Sequence, residues 1–248
     1  MANGFDPRAT ASPQPTARTT GVGRDTAAFD AGLRSYMLSV YNYMASGVLL
    51  TGIVALLFAN SGYAAAILGG PGILKYVIMF SPLAFVMVLS FGINRLSTGT
   101  AQLLFWLFAT VMGLSMASIF LVFTGESIAM TFFATAAGFA GLSLWGYTTK
   151  KDLSGFGTFL IMGVVGLLVA MIINLFVQST AMQLAISFIG VLLFAGLTAY
   201  DTQRIKSLYF HVAGTDMMGK TVIMGALSLY LDFVNMFTFL LNFMGSRE

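Results

Sequence analysis

The chain has 248 residues, 58% of them hydrophobic and only 8% charged, whereas a soluble domain carries about 25% charged residues. With a mean hydropathy of +0.88, this excludes a soluble globule and points to an integral membrane protein. The net charge of +3, the absence of cysteine and the single histidine, His211, exclude disulfides, a thiolate site and a metal site built on imidazole.

Residues 1–33 are polar and rich in Ala, Thr, Pro and Gly. They hold no apolar run of the kind a secretory signal needs and are expected to form a disordered cytosolic tail, whose last part can extend the first helix. A membrane domain is expected over residues 34–248. Seven apolar segments follow in order, at 36–60, 73–93, 102–123, 127–147, 155–177, 182–200 and 222–244. Each approaches the ~20 residues with which a helix crosses ~30 Å of hydrocarbon. Barrel strands are short and alternate, so these segments are helices. The third and fourth are joined only by Thr124-Gly125-Glu126, which requires a tight antiparallel hairpin. The expected fold class is an all-α integral membrane protein with seven transmembrane helices.

Charge placement agrees with that count. With the N-terminus inside, ten of the twelve basic residues fall on the inner side: Arg8, Arg18, Arg24, Arg34, Arg95, Lys150, Lys151, Arg204, Lys206 and Lys220. Lys75 and Arg247 are the exceptions. Positive-inside bias therefore predicts a cytosolic N-terminus and a periplasmic C-terminus, and no nucleic-acid patch. The seventh segment carries Asp232 and is the weakest of the seven, so re-entry is an alternative to a full span.

Glycine numbers 27. Gly138 with Gly141, and Gly163 with Gly166, share helical faces and are expected where helices approach closely. Phe and Met, at 23 and 16 residues, are core and lipid contacts. No GxxxxGK[ST] and no HExxH occurs, which argues against ATP-driven pumping and zinc proteolysis. No enzymatic activity and no cofactor are expected.

Function is sought where polarity is costly. Asp232 lies in Leu227-Ser228-Leu229-Tyr230-Leu231-Asp232-Phe233, and an ionisable group at that depth costs roughly 3 kcal/mol on insertion scales. At ~100° per residue, Ser228, Asp232, Asn235 and Asn242 share a sector of about 80° on the seventh helix. Interhelical hydrogen bonding explains the Ser and Asn residues of this polar stripe. It does not explain the carboxyl, since an amide would serve packing more cheaply. Asp201 closes the sixth segment beside Arg204, where it is either solvated or functional. The two helices are consecutive and antiparallel, so Asp201 and Asp232 can approach. With the boundaries above, Asp232 lies about 15 Å deep and Asp201 near the surface. Contact then requires the seventh helix to start later, near Ala226, or a cytosolic funnel between them. Two carboxylates sharing a desolvated site cannot both ionise easily and titrate as one unit. Arg95, at the end of the second segment, is the basic candidate beside them, or an ordinary positive-inside anchor.

Ala199-Tyr200-Asp201-Thr202-Gln203, together with Gly225-Ala226-Leu227-Ser228-Leu229-Tyr230-Leu231-Asp232-Phe233-Val234-Asn235, resembles the C-terminal signature of the Bax-inhibitor-one (transmembrane Bax inhibitor motif) family. Gly146-Tyr147-Thr148-Thr149-Lys150-Lys151-Asp152-Leu153-Ser154 resembles its bacterial branch. The likeness covers about residues 30–246. It implies a seven-helix fold with the last helix enclosed by the other six. It implies a pH-sensitive calcium leak in a bacterial inner membrane, with Asp201 and Asp232 as sensor, gate and transient calcium ligands. Arg95 stands near the family's latch arginine, with Asn94 the neighbouring alternative. Calcium is then the permeant ion, and the bilayer and membrane proteins are the partners. A regulatory protein that binds inner-membrane proteases or other partners without transport is the second class. A proton-coupled exchanger is a third. An aspartyl intramembrane protease is a fourth, which Tyr200-Asp201 fits but Leu231-Asp232, lacking glycines, does not.

Overall fold

The computed structural model describes the backbone of residues 20–247 and the side chains of residues 29–247. Its helices are α1 (Thr20–Asn60), α2 (Tyr63–Leu68), α3 (Leu74–Gly92), α4 (Thr98–Met116), α5 (Gly125–Thr148), α6 (Ser154–Val177), α7 (Thr180–Val212) and α8 (Met217–Met244), with a 3-10 turn over Ala117–Leu121 after α4. All but α2 are long and apolar enough to cross a membrane. The seven spans stand where hydropathy predicts them. α8 is one continuous helix of 28 residues, about 42 Å long at 1.5 Å per residue, so it spans and does not re-enter.

The caps follow from the sequence. Ser97, Thr124 and Ser179 precede α4, α5 and α7, and each side-chain oxygen accepts from a backbone N–H three residues on, supplying one of the donors a helix start leaves free. α3 contains Pro82, which lacks the N–H that would reach the Ile78 carbonyl. The Ser81 and Ser115 hydroxyls donate to that carbonyl instead, the repair that lets proline sit in a membrane helix.

α8 is the centre of the bundle. In its apolar stretch 72% of residues are buried, against 28% or fewer in each of the other spans. It packs directly on α1, α4, α5 and α7, while α3 lies outside on α4 and α6 lies outside on α7. Exposed apolar residues of the outer helices α3 and α6, such as Phe80, Phe91, Phe159 and Phe176, face outward, as hydrocarbon contact allows. Thr51 ties three helices together: its hydroxyl donates to the Ala109 carbonyl (2.8 Å) and accepts from the Tyr230 hydroxyl (2.6 Å). After Met244 the chain folds back on the α4–α5 turn. There Thr124 N–H donates to the Ser246 carbonyl, Ser246 N–H donates to the Ser127 hydroxyl, and Arg247 lies 5.5 Å over the Phe123 ring.

Two expectations change and a third is made definite. The last part of the tail does extend the first helix, α1 beginning at Thr20; residues 1–19 of the expected tail lie outside the described residues. α7 runs twelve residues past Tyr200, to Val212. The two extensions support each other, because Phe29 and Tyr36 of α1 stack on Tyr209 of α7 at 5.1 and 5.3 Å, an aromatic cluster that hydropathy does not register. The glycine faces also differ. A side chain at Gly138, Gly141 or Gly166 would meet nothing within 4 Å. Of the expected positions only Gly163 makes a close approach, against Leu193; the others are Gly146 against Ala199, Gly157 against Tyr200 and Gly190 against Phe239.

Candidate functional site

The α7–α8 hairpin sets the site. Ile205 lies against Gly225, and Phe239 lies against Gly190 and stacks on Phe194 at 5.8 Å. These contacts fix an antiparallel register that puts Asp201 opposite the turn between Ser228 and Asp232. Neither a late start of α8 nor a funnel is needed. Continuation of α7 to Val212 carries Asp201 inward, so both aspartates are several turns from the connection at 213–216.

Asp232 is buried, with 4% of its surface exposed, and its Oδ2 is buried without a hydrogen-bond partner. Such an atom ordinarily costs ~1–3 kcal/mol or more. Asp201 is half-buried, with Arg204 three residues on along α7. The hairpin register sets the two aspartates at neighbouring levels of α7 and α8.

Side chains around Asp201 explain why it faces α8. On the opposite flank of α7, the Thr202 hydroxyl donates to the Ser143 hydroxyl of α5 (3.3 Å) and Lys206 Nζ donates to the Tyr147 carbonyl (2.8 Å), lying 4.6 Å over the Tyr147 ring. Gln203 clasps the α5–α6 loop: its Oε1 accepts from Leu153 N–H and its Nε2 donates to the Lys151 carbonyl, both at 2.8 Å. At ~100° per residue these three residues occupy one sector, which leaves Asp201 and Ile205 on the α8 side. In the same loop, hydrogen bonds from the Ser154 hydroxyl and N–H hold the exposed Asp152 carboxyl below the usual carboxylate range.

The rest of the polar stripe does not join the pair. Asn235 Nδ2 donates to the Leu231 carbonyl and Asn242 Nδ2 to the Thr238 carbonyl, both at 2.8 Å and both within α8. These amides satisfy their own helix instead of bridging to another, and Ser228 is half-buried. Arg95 is exposed in the turn between α3 and α4. That turn meets α8 near Gly219, through Thr98, about 20 Å along the helix from Asp232. The arginine therefore stands apart from the carboxyls. The buried hydroxyl pair of Thr51 and Tyr230 is signalled in the sequence only by a lone Thr in an apolar run and a Tyr inside the last span. Two residues before Asp232, Tyr230 faces the other side of α8. Among the described residues no three His, Cys, Asp or Glu side chains converge as a metal site.

The fold defines a polytopic helical membrane protein whose last helix is largely buried among the others. The profile described as "Inhibitor of apoptosis-promoting Bax1" matches residues 33–248, and the chain belongs to this Bax inhibitor-1 family. It is 44% identical over 220 residues to the inner membrane protein YbhL of Escherichia coli, covering 88% of this chain and 94% of the relative. It is 45% identical over 223 residues to an uncharacterised protein of Rickettsia prowazekii, covering 89% and 93%. An uncharacterised protein of Caulobacter vibrioides is 45% identical over 244 residues, covering 94% and 96%.

Proposed function

We propose that this protein is a passive, pH-gated, calcium-permeable leak channel, without enzymatic activity, of a bacterial inner membrane. The observation that carries the reading is the Asp232 carboxyl: buried in the central helix, left with an unpartnered oxygen and set near the level of Asp201 by the α7–α8 register. A carboxyl of that kind is expensive in a membrane interior and is retained for ions or protons. Protonated, the pair shares a proton and holds α7 against α8. Ionised, the two charges repel, loosen the hairpin and offer oxygen ligands to a hard divalent cation. Acid then closes the leak and neutral pH opens it. Two carboxyls form a weak, transient cation site, as permeation requires, not a storage site. Arg95 lies outside the pair in this arrangement and would act as a latch only after a movement of α3. Positive-inside bias favours a cytosolic N-terminal end of α1 and a periplasmic C-terminus. Kinship with YbhL, an inner membrane protein, supports the location.

The test is calcium entry into proteoliposomes over about pH 5 to 8, wild type beside Asp201→Asn and Asp232→Asn. The expected result is a flux that rises from acid to neutral pH in the wild type and whose pH profile changes in both variants. No flux above that of empty liposomes, with folded protein verified, overturns the channel reading and favours a regulatory protein that binds membrane partners.

A further inference from the structure

α1 packs on α4, α7 and α8 but makes no extended contact with α5. The gap between them is a cavity of about 900 Å³, floored by Phe233 of α8 and walled by Met37, Val48, Phe139 and Leu144. It continues past Phe132 and Phe233 into a second cavity of about 310 Å³ that shares Val48. The first is as large as pockets that enclose drug-sized ligands.

What can reach this groove is set by its surroundings. The rims carry exposed apolar side chains, Leu38, Leu49, Phe133 and Leu144 among them. In a helix that crosses a bilayer, these rims face hydrocarbon, so the groove opens sideways into lipid. Its apolar length from Met37 to Leu49 is about 18 Å at 1.5 Å per residue, close to one leaflet, half of the ~30 Å core. Charge is confined to one end, where Asp30 and Arg34 line the mouth, and Tyr41, Ser143 and Tyr147 are the remaining polar lining. Asp30 and Arg34 are four residues apart and so lie on one face of α1. A cation and an anion at the headgroup end, above an apolar slot one leaflet deep, complement a molecule with a phosphate, an ammonium and an acyl chain.

We propose that the α1–α5 groove is a binding site for a single phospholipid with a zwitterionic headgroup. Arg34 takes the phosphate, where a guanidinium makes charge-assisted hydrogen bonds. Asp30 takes the ammonium, and one acyl chain fills the slot down to Phe233. The occupant touches the immediate neighbours of the carboxyl pair: Phe233 follows Asp232, and Ser143 holds Thr202, which follows Asp201. The site is independent of the leak reading, because lipid retention is measured without flux.

The full chain is purified in mild detergent, equilibrated with equal amounts of phosphatidylethanolamine and phosphatidylglycerol, and weighed intact by native mass spectrometry. The wild type retains one phosphatidylethanolamine per chain in preference to phosphatidylglycerol. Arg34→Gln lowers retention of both lipids about tenfold, the loss of one charge-assisted hydrogen bond. Asp30→Asn removes the preference between them. Ala140→Phe, or Ala45→Phe on the facing wall, fills the slot and abolishes retention. Both alanines are exposed, so neither substitution invades the packed core, and folding of each variant is verified by circular dichroism. Three outcomes overturn the proposal: equal retention by the wild type and the filled variants, no preference in the wild type, or a two-chain species that the filled variants alone abolish, which would make a second copy the occupant.

Discussion

Replacing Gly146 by alanine tests how tightly α7 is set beside the carboxyl pair. A Cβ at Gly146 would lie 2.9 Å from the Cα and carbonyl carbon of Ala199 and closer still to its oxygen. All three atoms are backbone, so no rotamer change relieves the contact and α5 must move from α7. Overpacking a membrane or soluble core costs about 1–3 kcal/mol, here toward the upper end. Alanine returns up to about 1 kcal/mol of helix propensity. The net loss is about 2 kcal/mol, or an unfolding midpoint lower by about 4–8 °C for a chain of this size. Gly138→Ala is the control: its Cβ meets nothing within 4 Å, so only the propensity gain remains and the midpoint holds or rises. Tryptophan fluorescence of detergent-solubilised protein during heating reads both, with Trp145 beside the substituted position. A Gly146→Ala protein as stable as Gly138→Ala would refute the close α5–α7 packing.

Two further outcomes are expected. Thr51→Val leaves the buried Tyr230 hydroxyl without its partner and costs about 1–3 kcal/mol, whereas Tyr230→Phe costs about 1 kcal/mol; in the double variant the losses do not add, and additive losses in the same thermal assay would count against the α1–α4–α8 junction. Asp152 is held below its ordinary carboxylate range, so its contribution is present above the unfolded value and is lost as pH falls through the folded one. Protection of the Ser154 amide against hydrogen exchange, taken relative to its intrinsic rate at each pH, should therefore hold from neutral pH down to below about pH 4 and then fall, a pH step that Asp152→Asn removes.

Hydropathy located the seven spans because each must satisfy its own backbone in hydrocarbon. It misjudged where α7 ends. A charge at Asp201, followed by Arg204 and Lys206, reads as a membrane surface, yet α7 continues because Tyr209 finds Phe29 and Tyr36 across the bundle. That is a contact between residues far apart in sequence, which no local pattern carries. Asp232 was legible because a carboxylate in an apolar run violates a strong rule. Asn235 and Asn242 share its helical sector, but their amides return to carbonyls one turn back, so angular position alone overstated the polar network. Glycine spacing failed in the same way: Gly138 and Gly141 lie on one face, but that face has no neighbour, and Gly146 has one because Ala199 is small.

The helix on which the bundle is built is the last of the seven to be synthesised. Chains fold from the N-terminus as they emerge, so α1, α4 and α5 must enter the bilayer before the helix they enclose exists. Their inner faces, including Phe105, Phe108 and Phe139, wait in lipid or water until α8 arrives. α7 and α8 are joined by a four-residue connection at 213–216, so the core is delivered as a hairpin, in one step that brings Asp201 and Asp232 in together. A chain that ends before residue 217 leaves α1, α4, α5 and α7 around an unfilled axis, so the enclosing helices are completed only when α8 is in place.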